Sequence, residues 1–214
     1  MTDPIIWYTR WMGDIDTQVI FNYHCPGGFD SELAFSRASR RFQPVDDALA
    51  PDFLFFDSHK KIKASCRDAF QIVDAVLVCS PAFRDVLTRF DIGSSRLYEV
   101  PIYRDATKKP SDLPPHYVLR VTEAKPGTFV PEESVNIRRP RDPITQELRS
   151  PDLPFLAVED KDQLAVRAEA AQGVDLWYDP AIAERLFLSD RLVQAIEEVG
   201  LKSRALRFMR AKIV

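Results

Sequence analysis

The run D-L-W-Y-D-P-A-I-A-E-R-L-F-L-S-D-R-L-V-Q-A-I-E-E-V-G-L, Asp175 to Leu201, holds the residue types of a hydrolytic site: Ser189, the acids Asp175 and Asp179, and the aromatics Trp177 and Tyr178. A serine becomes a nucleophile when a base lies within hydrogen-bond reach and an oxyanion site stands ready, commonly in a G-x-S-x-G turn. Neither Ser189 nor Ser80 has such glycine neighbours. His24 beside Cys25 in N-Y-H-C-P-G-G-F offers nitrogen and sulfur to a metal, or a cysteine-histidine pair for nucleophilic attack. Adjacency is poor geometry for both, which favours a solvated turn ahead of Pro26-Gly27-Gly28. His59, in F-D-S-H-K-K-I-K, reads as an exposed helix entry capped by Asp57 or Ser58. The three cysteines have no disulfide or zinc spacing, and Cys66 and Cys79 read as small hydrophobes. No catalytic, metal or cofactor residue is assigned.

The elements around Ser189 explain it better than chemistry does. Leu77 to Val100 overlays Leu186 to Met209 without a gap, matching Leu77 with Leu186, Ser80 with Ser189, Phe83 with Leu192, Leu87 with Ile196, Phe90 with Val199 and Leu97 with Leu206. In each copy an apolar run meets a serine, the favoured acceptor for the free amides that open a helix. Pro81 suits the first helical position, and Asp190 complements the positive end of the helix dipole. Phe83, Val86, Leu87 and Phe90, and again Leu192, Ala195, Ile196 and Val199, have the spacing of one buried helix face. Gly200 suits a left-handed helix stop, with Leu201 folding back towards Ile196, and Asp91 is the weaker stop of the first copy. Return strands are expected at Leu97–Val100 and Leu206–Met209. Trp177 and Tyr178 are expected to cover the core of this repeat, Asp179 to start a turn, and Asp175 to lie in a loop. Each repeat alone leaves an apolar face uncovered; packing of the two about a pseudo-twofold would cover both, and the sequence leaves open whether they touch.

With 214 residues, 45% hydrophobic and 29% charged, the chain suits one globular domain that buries a core without staples. Its net charge of −3, spread over both signs, disfavours nucleic acid as a partner. The start lacks a signal pattern and no window is long and apolar enough for a membrane span, so a cytoplasmic location is expected. Sixteen prolines against seven glycines leave few flexible phosphate-cradling turns. Prolines gather in two connectors, Pro101–Pro115 and Arg138–Pro154, where periodicity fails. Strands are expected near Ile5–Trp11 and over His116–Glu123, while the apolar run within Asp52–Asp57 reads as a strand or a short buried irregular segment, a choice its periodicity leaves open. The fold class is therefore α+β: one unit over 1–214 with two related strand-helix-strand elements and added amino-terminal strands. It subdivides into an amino-terminal lobe, 1–137, and a carboxy-terminal lobe, 155–214.

The segments D-L-W-Y-D-P, L-F-L-S-D-R-L-V-Q-A-I-E-E-V-G-L and L-R-F, preceded in order by P-D-F-L-F-F-D, L-V-C-S-P-A-F-R-D-V-L, Y-E-V-P-I and Y-V-L-R-V-T-E, carry a family likeness. From about Pro51 onward the chain resembles the immunity-protein-eleven domain family of bacterial polymorphic-toxin systems. The resemblance implies a cytoplasmic, non-catalytic protein that binds and neutralises a cognate toxin domain, with no cofactor. On charge grounds Glu132, Glu133, Glu159, Asp160 and Asp162 are candidate contacts to a basic toxin cleft. The alternative is a small hydrolase or transferase whose site is assembled from scattered acids and His24 or His59.

Overall fold

A computed structural model describes residues 4–9, 21–40, 42–56, 68–72, 76–139, 141, 145, 154–156, 163–183, 185–201 and 207–214. The fold is mixed α+β, as its sequence pattern indicates. In chain order the strands are β1 (Ile6–Thr9), β2 (Phe21–His24), β3 (Phe53–Phe56), β4 (Ala69–Gln71), β5 (Leu77–Cys79), β6 (Arg96–Val100), β7 (Ile102–Tyr103) and β8 (His116–Arg120). They continue with β9 (Ile137–Arg138), β10 (Phe155–Leu156), β11 (Ala165–Val166), β12 (Leu176–Trp177), β13 (Leu186–Ser189), β14 (Met209–Arg210) and β15 (Lys212–Ile213). The α-helices are α1 (Phe29–Arg40), α2 (Pro81–Leu87) and α3 (Asp190–Glu198). No helix among the described residues is long and apolar enough to cross a membrane.

Two four-stranded antiparallel sheets dominate, in the orders β4-β5-β8-β6 and β12-β13-β1-β14. They share one plan. Each is built from an edge strand, the strand that runs into a capped helix, an inserted middle strand, and the strand that returns from the helix. The parallel pairs β3–β7 and β11–β15 continue the correspondence, and so does an antiparallel neighbour for each: β2 beside β3, and Phe129 bridging Val166 of β11. The halves differ in where the middle strand comes from. β1, from the start of the chain, enters the sheet of the second half, while β8, from the start of the second half, enters the sheet of the first. Each half thus supplies the central strand of the other.

Packing follows the two-residue period of the strands. Leu77, Cys79, Tyr117 and Leu119 face a central cluster from one sheet, with Leu176, Leu186, Leu188 and Trp7 from the other. Between them lie Phe83, Val86 and Leu87 of α2 and Leu192, Val193, Ala195 and Ile196 of α3, so the two repeat helices share one core. The alternate residues point outward into two further clusters. Phe70, Val78 and Val118 pack with Phe21, Leu54 and Ile102, whereas Ile6, Tyr8, Trp177 and Phe187 pack with Phe129, Val166 and Met209. Burial on both faces explains why L-V-C and L-F-L are continuous apolar runs rather than alternating ones.

Several expectations change in detail. Trp177 is fully buried, but on the outward side of β12, while its neighbours Leu176 and Tyr178 face the repeat core. α2 ends at Leu87, after which Arg89 and Phe90 donate to carbonyls three residues back, tightening the chain where no glycine ends the helix. α3 runs nine residues against seven in α2. Met209 lies opposite Tyr8 where Tyr98 lies opposite Val118, so the ungapped overlay slips by two residues after the helix. An even slip keeps the same side chains facing the core. Val199 is 50% exposed rather than buried, because it is the C-cap where Gly200, at φ 71°, turns the chain away.

The amide of Ala211 donates to Ile6 O, so Ile6 and Ala211 lie beside one another just as Val100 lies opposite His116 in the first sheet. A circular permutant that joins Val214 to the amino terminus and opens within the exposed Asp105–Lys109 loop should retain the native far-ultraviolet circular dichroism and a single unfolding transition. Loss of cooperative unfolding in that permutant would refute the equivalence of the two halves.

Candidate functional site

Ser189 and Ser80 are helix caps in the structure. Ser189 Oγ accepts the Leu192 amide at 3.3 Å and Ser80 Oγ accepts the Phe83 amide at 3.2 Å. Each hydroxyl also donates to a buried-side aspartate at the start of the edge strand: Ser189 to Asp175 at 2.5 Å, Ser80 to Asp68 at 3.3 Å. The backbone repeats the arrangement, since the Ser189 and Ser80 amides donate to the Asp175 and Asp68 carbonyls. A serine whose proton is directed to a carboxylate and whose lone pair is held by a helix amide is built into the frame.

Asp175, expected in a loop, is 0% exposed and joins the halves. Its carboxylate accepts the Asp91 amide at 3.0 Å, and its own amide donates back to the Asp91 carbonyl at 2.6 Å. Arg191 closes the group with a two-pronged contact, Nε at 2.6 Å and Nη2 at 2.8 Å, and the carboxylate in turn raises the Arg191 pKa. Asp179 starts a turn by accepting the Ala181 amide, and it also accepts the buried Phe129 amide at 2.8 Å. Two further cations are framework groups that sequence reasoning did not single out. Arg120 donates to Ser39 Oγ at 2.7 Å and to the Gln43 carbonyl, placing positive charge at the carboxy-terminal end of α1. Lys125 Nζ donates to the Ala170, Gln172 and Val174 carbonyls and sits 3.7 Å from the centre of the Trp177 ring.

His24 and Cys25 part company. Cys25 is fully buried, where desolvation pushes its thiol up to about 12, and it belongs to the packing of the first outer cluster. It is not the solvated residue the turn suggested, although Gly28 does donate back to its carbonyl in the turn that follows. His24 Nδ1 lies 2.6 Å from Asp52 Oδ1, and its ring stacks on Phe53 at 4.7 Å. Among the described residues the fold thus brings His24 and Asp52 together as a histidine-carboxylate pair; His59 and Cys66 lie outside the described residues.

Glu132 and Glu133 stand on an exposed 3-10 turn, Pro131–Glu133, where Lys212 pairs with Glu133 at 2.7 Å and lowers its pKa. Glu159, Asp160 and Asp162 lie outside the described residues. The surface feature that sequence reasoning missed is on α1. Phe35 and Ala38 bury one side of that helix, while Phe29 is 75% exposed and Leu33, one turn on, is 36% exposed. The signal was present: apolar residues on both faces of a helix in F-D-S-E-L-A-F-S-R-A exceed what one core needs. Asp30 and Arg37 are exposed beside this pair. No family model and no curated protein matches the chain.

Replacing Ser189 by alanine should lower stability by about 1 kcal/mol, the worth of a helix cap. Asp175→Ala should cost about 3 kcal/mol, because it strands the Asp91 amide and the Ser189 hydroxyl. A double-mutant cycle on denaturant midpoints should show the two coupled by more than about 0.5 kcal/mol, and simple additivity would contradict the shared contact. Desolvation holds the Lys125 ammonium down at about 8, against the opposing pull of Asp175, Glu123 and Asp91. A folded-state value below that of the unfolded chain means that the unfolded chain binds the extra proton between them, so stability rises with pH through that window. Denaturation from pH 7 to 10 should therefore show wild type gaining on Lys125→Met above pH about 8. A constant difference over the range would refute the burial cost.

Proposed function

We propose that this protein binds another protein rather than transforming a substrate, and that its partner is the toxin domain of a bacterial polymorphic-toxin system, which it neutralises as an immunity protein. The observation that carries binding is the exposed pair Phe29 and Leu33 on α1. A solvent-facing aromatic with an apolar neighbour and a charged border is the composition of an interface anchor. The resemblance of the repeat segments to the immunity-protein-eleven family supplies the identity of the partner and its setting in the cytoplasm. Ser80, Ser189, Asp68 and Asp175 support the reading from the other side, since their polar groups serve helix caps and strand junctions.

The hydrolase or transferase alternative rests on His24 and Asp52, whose 2.6 Å contact has the form of a base and its orienting carboxylate. One experiment separates the readings. The carboxy-terminal toxin domain encoded beside this protein is expressed in bacteria with and without it, and growth and co-purification are followed. Wild type should rescue growth and co-purify, His24→Ala should do the same, and Phe29→Asp should require higher expression for the same rescue. Neither rescue nor complex from the wild-type chain would sink the immunity reading; rescue lost with His24→Ala while the complex survives would favour catalysis.

A further inference from the structure

The outer side of α1 carries its apolar and charged residues in a fixed order. Phe35 and Ala38 bury the inner side, while Phe29, Asp30, Leu33, Ala34 and Arg37 are exposed. Steps of four set Phe29, Leu33 and Arg37 in one row along the helix, with Asp30 and Ala34 in the next. The face is apolar in the middle and oppositely charged at its ends. Asp30 lies in the first turn, and Arg37 follows seven residues later, about 10 Å along the axis. That separation is too long for the two to pair with each other, and neither side chain makes a hydrogen bond or ion pair among the described residues.

Such a face is its own complement. Leu33 stands nearly midway between the two charges, so an antiparallel second copy of the helix sets Asp30 against Arg37 at both ends and brings the two Leu33 side chains together beside a two-fold axis. A parallel copy would oppose aspartate to aspartate and arginine to arginine, so the charges select one orientation. Phe29, in the row of Leu33, extends the apolar contact towards the start of the helix. One short helix face offers less area than the roughly 800 Å² per partner of a standard interface, which makes the pairing reversible and concentration dependent.

We propose that two copies of this chain associate through α1, packed antiparallel about a two-fold axis near Leu33, with Asp30 of each copy against Arg37 of the other. Self-association goes beyond the toxin-binding reading and does not rest on it: a toxin domain anchored on Phe29 and Leu33 displaces the second copy. Sedimentation velocity of the full chain, with no toxin domain present, should show monomer passing into dimer over a series that reaches high micromolar concentration. Asp30→Arg and Arg37→Asp should each weaken association about tenfold or more, because each sets two like-charged pairs across the axis. Mixed in equal amounts, the two variants should associate as wild type does, since one chain then presents only cations at these positions and the other only anions. Leu33→Cys gives an independent reading should a charge variant melt below wild type: on oxidation it should form a covalent dimer that the wild-type cysteines do not. A wild-type chain that stays monomeric throughout overturns the proposal and leaves the α1 face to a different partner. So do charge variants with native melts that self-associate like wild type or stay monomeric when mixed, and a Leu33→Cys chain that yields no covalent dimer. Toxin rescue and co-purification are read separately and stand or fall by themselves.

Discussion

The structure depends on an exchange of strands between its halves. β1 lies between β13 and β14, and β8 lies between β5 and β6, so each four-stranded sheet has its middle supplied from the other half. A middle strand is buried on both faces: Trp7 points to the central cluster while Ile6 and Tyr8 point to an outer one, and Tyr117 and Leu119 oppose Val118 in the same way. Full burial of one large apolar side chain contributes roughly 1.5–3 kcal/mol, so three on one short strand rival the net stability of a typical domain. Removing either strand would also leave both its neighbours with unpaired backbone groups inside the protein. The halves therefore stand or fall together, and α2 packed on α3 completes the same core from its centre.

Chemically versatile residues are spent on this frame. The exchange brings strand ends and helix starts of different halves side by side, which leaves backbone amides at the junctions in need of acceptors. Asp175 meets that need for Asp91 and Ser189, Asp179 for Phe129, and Lys125 gathers three carbonyls that would otherwise be left at the end of a short turn. Buried polar groups of this sort are costly when alone and stabilising when satisfied. A serine between two aspartates in sequence thus has a structural cause, which the doubled Ser80–Asp68 and Ser189–Asp175 arrangement makes visible.

What the sequence revealed was local. Serine before a helix face, proline or aspartate at its first position, and glycine after its end are read from neighbours in the chain, and both caps and the left-handed Gly200 occur where those rules place them. The strand His116–Arg120 was legible for the same reason, whereas Phe53–Phe56 was legible as a buried run and not as a strand, because four apolar residues in a row carry no period. The exchange was not, because the pairing of Ile6 with Ser189 joins residues at opposite ends of the chain, and alternation says which side chains are buried without saying against which strand. Asp175 looked like a loop residue because its partners, Asp91 and Arg191, come together only once the halves have interlocked. The two-residue slip after the helices was hidden by its parity: an even shift preserves the apolar pattern on which the overlay was built.

The same physics separates what is held in common from what can diverge. Inside, the two halves agree in sheet order, strand direction, cap chemistry and the sharing of one helix layer. Outside, among the described residues, the first half follows β2 with the twelve-residue α1 where the second follows Phe129 with the turn at Pro131–Glu133, and the second half also pairs β9 with β10. A frame in which each half fills the other's sheet tolerates little change within, since a middle-strand residue of one half, such as Val118 or Tyr8, packs in an outer cluster of the other. Elements attached after the outer strands escape that restriction, because their solvent faces touch neither sheet. The exposed Phe29 and Leu33 lie on such an attached element, α1.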